Sequence, residues 1–409
     1  MAITKVAEKQ AENLCIAISR LKVLDEFLKK AIEDNTHPAA AVTVLRRGVE
    51  IFHGAYGVGS LDGSALCDDA IYPIMSITKP VVATLIAMLQ EDGLIDIWYD
   101  NLQLYFPDFI GEMKKEVLPW HLMCHVSGMD DEVMREYSKS IVKSVFNLDA
   151  PSNGAPEKDW LDYGMKVREK MGLPKAPRGW NSLHEAMNLI GRGAPLKNKP
   201  GTQFAYCNTG YQMLAEIVEK ISGESLDAFS RRKLFEPLGM MDTHFILPKE
   251  KWPRTIKRGK EWAGYKYMNS SKCHTSTSAS GGLKATMRDL TRFGQMYLQN
   301  GTLDGIRILS PASIREFTAN HNAHVPDAFW DGKMFSANWG LGWNIRDGKK
   351  DDLGLLRSDR AYDHAGYAGA RLLVDPEYDL VVAFYLVDSE DKHYPLHSRI
   401  ANIIYSSLD

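Results

Sequence analysis

The chain has 409 residues, of which 44% are hydrophobic and 25% are charged, and its formal net charge is -3. This composition is that of an ordinary globular protein, and the length predicts two domains or one large composite. Because the basic residues are scattered and outweighed by acidic ones, we expect no nucleic-acid binding. The sequence has no apolar run of about 18 residues, so we expect no membrane span.

The cysteines are odd in number and form no CxxC pair, so the sequence predicts neither a disulfide framework nor a zinc site. We expect reduced, mostly buried thiols at Cys15, Cys67, Cys124, Cys207 and Cys273. The mixed charges of about the first 35 residues do not resemble a signal peptide. We therefore expect a cytoplasmic protein, or a periplasmic or secreted one if a signal was trimmed. Motifs for metals and nucleotides are missing, and we expect no cofactor and no metal.

The first part of the chain carries helix and strand signals in alternation. Apolar residues at three- and four-residue intervals predict one amphipathic helix over residues 9–33. Two apolar runs, 39–45 and 51–56, flank a charged segment with a glycine and predict a β-hairpin. A third strand-like run, 71–75, directly precedes Ser76, and a helix with one apolar stripe begins at that serine.

The middle of the chain is predicted to be helical, and strand signals return near the C-terminus. Residues 130–199 predict a long helical insertion, and residues 370–386 predict a hairpin. We predict an α+β fold in which residues 1–75 and 275–409 form an antiparallel sheet flanked by helices. Residues 76–274 form a mainly helical inserted domain, and a cleft is expected where the two domains meet.

A serine and a lysine lie three residues apart at the start of the helix that follows the first sheet segment. On one turn of helix, Ser76 and Lys79 share a face. A desolvated lysine with a lowered pKa can take the proton of the hydroxyl, and the helix N-terminus can stabilise an oxyanion. The same spacing recurs elsewhere in the chain, so a helix-capping serine beside an exposed lysine is the alternative.

A tyrosine and an asparagine form the second candidate pair. Tyr206 and Asn208 follow a turn and precede an amphipathic helix. A phenol whose pKa is depressed by neighbouring cations can act as a general base, and an amide can hold an incoming carbonyl. A loop tyrosine followed by an asparagine helix cap is the alternative.

The third candidate element is the segment HAGYAG at residues 364–369, directly before the C-terminal hairpin. Its small residues, among them Gly366, let a substrate lie along the strand edge and pair with backbone groups. His364 can orient a substrate carboxylate or carbonyl. A hydrogen-bonded histidine near a glycine-rich bend is the alternative.

In this order, the Ser-x-x-Lys, Tyr-x-Asn and His-x-Gly motifs resemble those of the serine β-lactamase and penicillin-binding protein superfamily. The likeness is to its class C branch, which includes D-alanyl-D-alanine carboxypeptidases, D-aminopeptidases and family VIII esterases. Four further segments resemble family patterns: LPWHLMCHVSG at 118–128, KPGTQFAYCNTGY at 199–211, FEPLGM at 235–240 and WGLGW at 339–343. The resemblance implies the fold of that superfamily.

The resemblance also implies an acyl-enzyme mechanism. Ser76 would be acylated, and Lys79 and Tyr206 would share the general acid and base work. Which of these two is the base stays open, because coupled groups titrate as a pair. Asn208 would contact the substrate, and the backbone N–H groups of Ser76 and Tyr367 would form the oxyanion hole.

One departure from the family pattern bears on the substrate. His364 stands where the family usually has the lysine of Lys-Thr-Gly, and an imidazole holds a penicillin carboxylate less firmly than an ammonium does. We therefore expect a small-molecule ester or amide as substrate. A D-stereospecific peptidase or weak β-lactamase, an acyltransferase, and a non-catalytic penicillin-binding or sensor module are the alternatives, and no oligomeric state is predicted.

The insertion carries three large aromatic residues, Trp160, Tyr163 and Trp180. Two interpretations stay open for them. They can form an aromatic lid over an apolar acyl group, or they can be ordinary core residues of the insertion.

Overall fold

The computed structural model describes residues 8–152, 154–173, 182–327, 335–388 and 395–409. Its α-helices in chain order are α1 (Glu8–Leu14), α2 (Ile18–Glu33), α3 (Thr78–Glu91), α4 (Pro119–Met123), α5 (Asp131–Phe146), α6 (Glu157–Lys170), α7 (Ser182–Gly191), α8 (Asn208–Ser222), α9 (Leu226–Ser230), α10 (Tyr265–Met268), α11 (Ser271–Thr275), α12 (Met287–Leu298), α13 (Pro311–Phe317) and α14 (Pro395–Tyr405). Its strands are β1 (Ala39–Arg46), β2 (Val49–Gly57), β3 (Tyr72–Pro73), β4 (Lys284–Ala285), β5 (Thr302–Leu303), β6 (Ile306–Arg307), β7 (Pro326–Asp327), β8 (Phe335–Ser336), β9 (Asn344–Ile345), β10 (Tyr362–Gly366), β11 (Ala370–Asp375) and β12 (Leu380–Leu386).

The central sheet is antiparallel and is built from both ends of the chain. Its strand order is β2-β1-β12-β11-β10-β9. Strand β1 pairs with β12 from Ala40 opposite Leu386 to Arg46 opposite Leu380. The two predicted hairpins, β1–β2 and β11–β12, therefore lie side by side in one sheet.

Both faces of this sheet are covered, which explains why its central strands are apolar throughout. Alternate residues of β12 enter different cores, because successive side chains of a strand point to opposite faces. One set packs with α3 and α12 in the larger core: Val381, Ala383 and Tyr385. The other set packs with α2 and α14 in the smaller core: Leu380, Val382, Phe384 and Leu386.

The predicted single helix over residues 9–33 is wrong, since the chain forms two helices there. Between α1 and α2, Cys15 adopts a left-handed backbone conformation with φ of 51°. The next residue, Ile16, forms a β-bridge with Leu408, and the Ala17 N–H donates to the Ser407 carbonyl over 2.8 Å. Pairing with the far end of the chain outweighs the local helical periodicity at this point.

The helical insertion has a small core of its own between α5, α6 and α7. Tyr163 and Val167 of α6 are buried there with Val142 of α5, and Trp160 packs against them. The rings of Trp160 and Tyr163 meet edge to face with their centroids 6.2 Å apart. Trp160 and Tyr163 are therefore core residues of the insertion, whereas Trp180 lies outside the described residues.

Among the residues that the structure describes, every helix is too short or too polar to cross a bilayer.

Candidate active site

Ser76 lies in a single 3₁₀ turn, Met75–Ile77, immediately before α3. The predicted helix start at Ser76 is therefore two residues early, and only Tyr72–Pro73 of the preceding run pairs as a strand. Met75 takes a left-handed φ of 48°, which sets Ser76 on a sharp bend. Helix α3 is buried on all sides over residues 78–89 rather than along one stripe, because it lies in the middle of the larger core.

The ammonium of Lys79 connects the serine to two other parts of the chain. Its Nζ donates to Ser76 Oγ over 3.1 Å, to Asn208 Oδ1 over 2.9 Å and to the Ser280 carbonyl over 2.8 Å. Its side chain is 0% exposed. Burial away from water disfavours the charged form and lowers the pKa of Lys79 to about 7. A substantial fraction of Lys79 is therefore neutral near pH 7 and able to accept a proton.

Tyr206 lies two residues before α8 and faces the same serine. Burial raises the pKa of its phenol, and the Ser76 side chain lowers that pKa by a smaller amount. The Lys79 Nζ lies 4.6 Å from the centroid of the Tyr206 ring. The depressed pKa that a tyrosine base would need is not found, because burial raises the pKa of Tyr206 and the Lys79 ammonium faces the ring. At neutral pH the phenol is protonated.

Asn208, the first residue of α8, has its amide engaged on both sides. Its Oδ1 accepts from Lys79, and its Nδ2 donates to Asp131 Oδ2 over 3.1 Å. This leaves one amide hydrogen of Asn208 for the predicted contact with a substrate carbonyl. Asp131 was not singled out by the sequence reasoning, because a carboxylate at the start of a surface helix carries no distinctive local pattern.

His364 lies on β10 and is neutral. Its Nδ1 donates to the Ala365 carbonyl over 2.8 Å, since a carbonyl can only accept. Burial, with a further contribution from Lys79, lowers the pKa of His364 to about 3. Its Nε2 is therefore an unprotonated acceptor, and this buried atom has no hydrogen-bond partner among the described residues.

The turn after His364 closes against the bend that holds the serine. A Cβ at Gly366 would collide with the carbonyl oxygen of Ile74, so a glycine is required for β10 to approach this bend. Tyr367 follows at the end of β10 and is 49% exposed. The three predicted elements thus meet at one place, with the third forming the edge beside Ser76.

Two aromatic residues that the sequence analysis did not assign complete the surroundings. The His125 ring stacks on Tyr206 at a centroid distance of 4.1 Å, and its Nδ1 accepts from the Cys207 N–H over 3.1 Å. Trp339 packs edge-on against His364 at 5.6 Å and against Tyr206 at 6.2 Å. His125 lies in segment 118–128 and Trp339 in segment 339–343, both of which resemble family patterns. That resemblance was the signal in the sequence that could have identified these two residues.

Among the described residues there is no group of three or more His, Cys, Asp or Glu side chains arranged to hold a metal ion. A hydroxyl hydrogen-bonded to an amine near its pKa, with a phenol ring packed against that amine, suits nucleophilic attack on a carbonyl.

Comparison with known proteins agrees with this geometry. A family model described as Beta-lactamase matches residues 24–399. The chain belongs to the Beta-lactamase family. The predicted family and the predicted fold class, an antiparallel sheet flanked by helices, are therefore confirmed, and the protein is a member of a serine hydrolase family.

Relatives of this Beta-lactamase family member carry several different names. An N-acetylmuramyl-L-alanine amidase of Bacillus subtilis is 24% identical over 94% of this chain and 84% of its own. The crystal structure of a penicillin-binding protein homologue from Caulobacter crescentus superposes with a TM-score of 0.70 at 19% identity, covering 95% of this chain and 98% of its own. A family VIII carboxylesterase structure gives a TM-score of 0.70 at 18% identity, with the same coverage of 95% and 98%. At these identities the two structures show the shared fold.

Proposed function

We propose that this protein hydrolyses carboxylic esters or amides with small to medium acyl groups through an acyl-enzyme on Ser76. The observation that carries the proposal is the contact between Ser76 Oγ and Lys79 Nζ at 3.1 Å, with the amine fully buried and its pKa lowered to about 7. A hydroxyl beside an amine that is partly neutral at pH 7 is an activated nucleophile.

The reaction begins when neutral Lys79 accepts the proton of Ser76 and Oγ bonds to the substrate carbonyl carbon. The carbonyl oxygen becomes an oxyanion, which the backbone N–H groups of Ser76 and Tyr367 stabilise. As the tetrahedral intermediate collapses, the bond to the leaving group breaks. Tyr206 donates its proton to that group and regains one from Lys79, and water then releases the acid from Ser76 by the same steps.

The charge state of His364 supports an ester over a substrate with a free carboxylate. A neutral imidazole with a bare Nε2 offers no cation and no proton at that atom to a carboxylate. Penicillins and peptides that end in D-alanine both present a carboxylate. A D-stereospecific peptidase or weak β-lactamase is the second candidate.

The proposal is tested by covalent labelling and a substrate panel. The purified protein is expected to gain the mass of a fluorophosphonate at Ser76 and to turn over p-nitrophenyl acetate or butyrate. Across the panel we expect p-nitrophenyl esters to have the highest kcat/KM, followed by D-alanyl peptides, with nitrocefin slow. Rapid nitrocefin hydrolysis would reverse this order. A protein that is neither labelled nor active would be a binding module, and the proposal would fail.

The rate of acylation is expected to increase as the pH rises through about 7. Only the neutral form of Lys79 accepts the serine proton, and that form becomes the majority above its pKa of about 7. The measurement is the rate of fluorophosphonate labelling between about pH 5 and pH 9. A rate that stays flat over this range, or that increases only near the pKa of an exposed lysine, would assign the base to another group.

A further inference from the structure

Asp131, the first residue of α5, binds the start of α8 with both carboxylate oxygens. Oδ2 accepts from the backbone N–H of Asn208 over 2.7 Å and from its Nδ2 over 3.1 Å. Oδ1 accepts from the N–H of Thr209 over 3.0 Å and from its hydroxyl over 2.8 Å. The N-cap residue of α8 is Cys207, whose side chain does not cap the helix. Asp131 therefore supplies, from another helix, the acceptor that this helix start requires.

Hydrogen bonds connect Asp131 through Asn208 and Lys79 to the nucleophile Ser76. An amide that donates through Nδ2 to Asp131 must present Oδ1 on its other side, and that oxygen accepts from Lys79 over 2.9 Å. Were the amide rotated by half a turn, its oxygen would face the carboxylate and its NH₂ would face the ammonium. Both contacts would then be repulsive, so the carboxylate selects a single amide orientation.

We propose that Asp131 is a positioning residue for the proposed hydrolase: it orients Asn208 so that the amide oxygen holds Lys79 Nζ beside Ser76 Oγ. This inference rests on the proposed function of Ser76. A residue that only capped α8 would need no contact with the Asn208 side chain, and that contact distinguishes the two roles.

Asp131 affects Lys79 in two ways: it fixes the position of Asn208, and its charge changes the pKa of Lys79. Among the residues that the structure describes, the groups that face the Lys79 ammonium are two neutral histidines, two phenols, a thiol and this carboxylate: His125, His364, Tyr206, Tyr211, Cys207 and Asp131. Asp131 raises the pKa of Lys79 against the larger lowering by burial. Removing this anion therefore favours the neutral amine.

The deciding experiment compares Asp131→Asn with wild type by the rate of fluorophosphonate labelling of Ser76 as a function of pH. We expect labelling at the pH optimum to fall by roughly 10- to 100-fold, because Asn208 and Lys79 lose their fixed placement. The acidic limb of the profile is expected to shift toward lower pH, because the carboxylate no longer favours the protonated amine. A purely structural role would lower the melting temperature without moving that limb.

A second variant separates the effect of the Asp131 charge from the effect of its position. It also keeps the inference testable if Asp131→Asn does not fold. Asp131→Glu retains the charge on a longer side chain, so we expect slower labelling with an acidic limb near that of wild type. The matched control is Asp130→Asn. Asp130 caps α5 through the N–H groups of Glu132 and Val133 and pairs with Lys197. Asparagine keeps this cap through its Oδ1 and loses only the ion pair with Lys197, so both the labelling rate and its acidic limb are expected to stay at the wild-type values.

The outcomes separate this inference from the proposed function. If wild type is labelled at Ser76 and Asp131→Asn is labelled at the same rate with the same acidic limb, Asp131 is only a helix cap and the inference is wrong. If wild type itself is not labelled at Ser76, the proposed function fails and this inference fails with it. Slower labelling of Asp131→Asn together with a shifted limb supports both.

Discussion

Replacing Ser76 with alanine is expected to abolish hydrolysis, with kcat/KM falling by about 10⁴-fold or more. The hydroxyl is the atom that forms the acyl-enzyme, and the other side chains of the cluster cannot replace it. The fold is expected to survive, because loss of one partly buried hydroxyl changes the free energy of unfolding by about 1 kcal/mol or less. The measurements are kcat/KM for p-nitrophenyl butyrate, fluorophosphonate labelling and denaturant unfolding.

The chain offers a matched control for this variant. Ser140 and Lys143 have the same three-residue spacing on α5, but Ser140 is exposed and donates to the Tyr137 carbonyl. The variant Ser140→Ala is expected to keep full activity. Residual hydrolysis by Ser76→Ala above one-hundredth of the wild-type rate, in a preparation free of contaminating esterase, would exclude Ser76 as the nucleophile.

Replacing Lys79 with methionine is expected to lower kcat/KM by roughly 10²- to 10⁴-fold, the range that general base catalysis contributes. Methionine fills a similar volume but cannot accept the proton of Ser76. The control is Lys143→Met, in which an exposed lysine paired with Asp149 is lost and activity should be unchanged. If Lys79→Met retains most of its activity, Lys79 is not the base.

The same variant is expected to change how stability depends on pH. The pKa of Lys79 is about 7 in the folded protein and near its ordinary value of 10.5 in the unfolded chain. Between these two pH values the unfolded state binds more protons than the folded state, so the contribution of Lys79 to the free energy of unfolding rises with pH. Below about pH 7 the folded protein bears the full cost of holding a buried, protonated Lys79. Lys79→Met removes that cost.

We therefore expect the free energy of unfolding of Lys79→Met, relative to wild type, to be more favourable at about pH 6 than at about pH 10. The polar partners that the variant leaves without a donor, the Asn208 amide and the Ser280 carbonyl, do not titrate in this range. Their loss affects both conditions equally. Denaturant unfolding of both proteins at the two pH values measures the difference, and an equal difference at both would contradict the lowered pKa.

The sequence alone determined those features that depend on neighbours along the chain. The two hairpins β1–β2 and β11–β12 follow from local alternation and turns, and both formed as predicted. The three-residue spacing placed Ser76 and Lys79 on one turn, where their side chains meet at 3.1 Å. Spacing alone does not produce this contact, since Ser140 and Lys143 have the same spacing and bind other partners. The order of the three motifs along the chain was sufficient to identify the family, because proteins of one fold place the same short motifs at the same positions of that fold.

The tertiary structure alone decided the electrostatics of the site and the partners from distant segments. Burial lowered the pKa of Lys79 and raised that of Tyr206, so the lysine has the pKa that a base requires at neutral pH and the tyrosine does not. The contact between Lys79 and Asn208 spans 129 positions of the chain, and Asp131 joins the cluster from a third helix. Desolvation and long-range hydrogen bonds depend on what packs around a side chain, and this packing exists only once the separate segments have folded together.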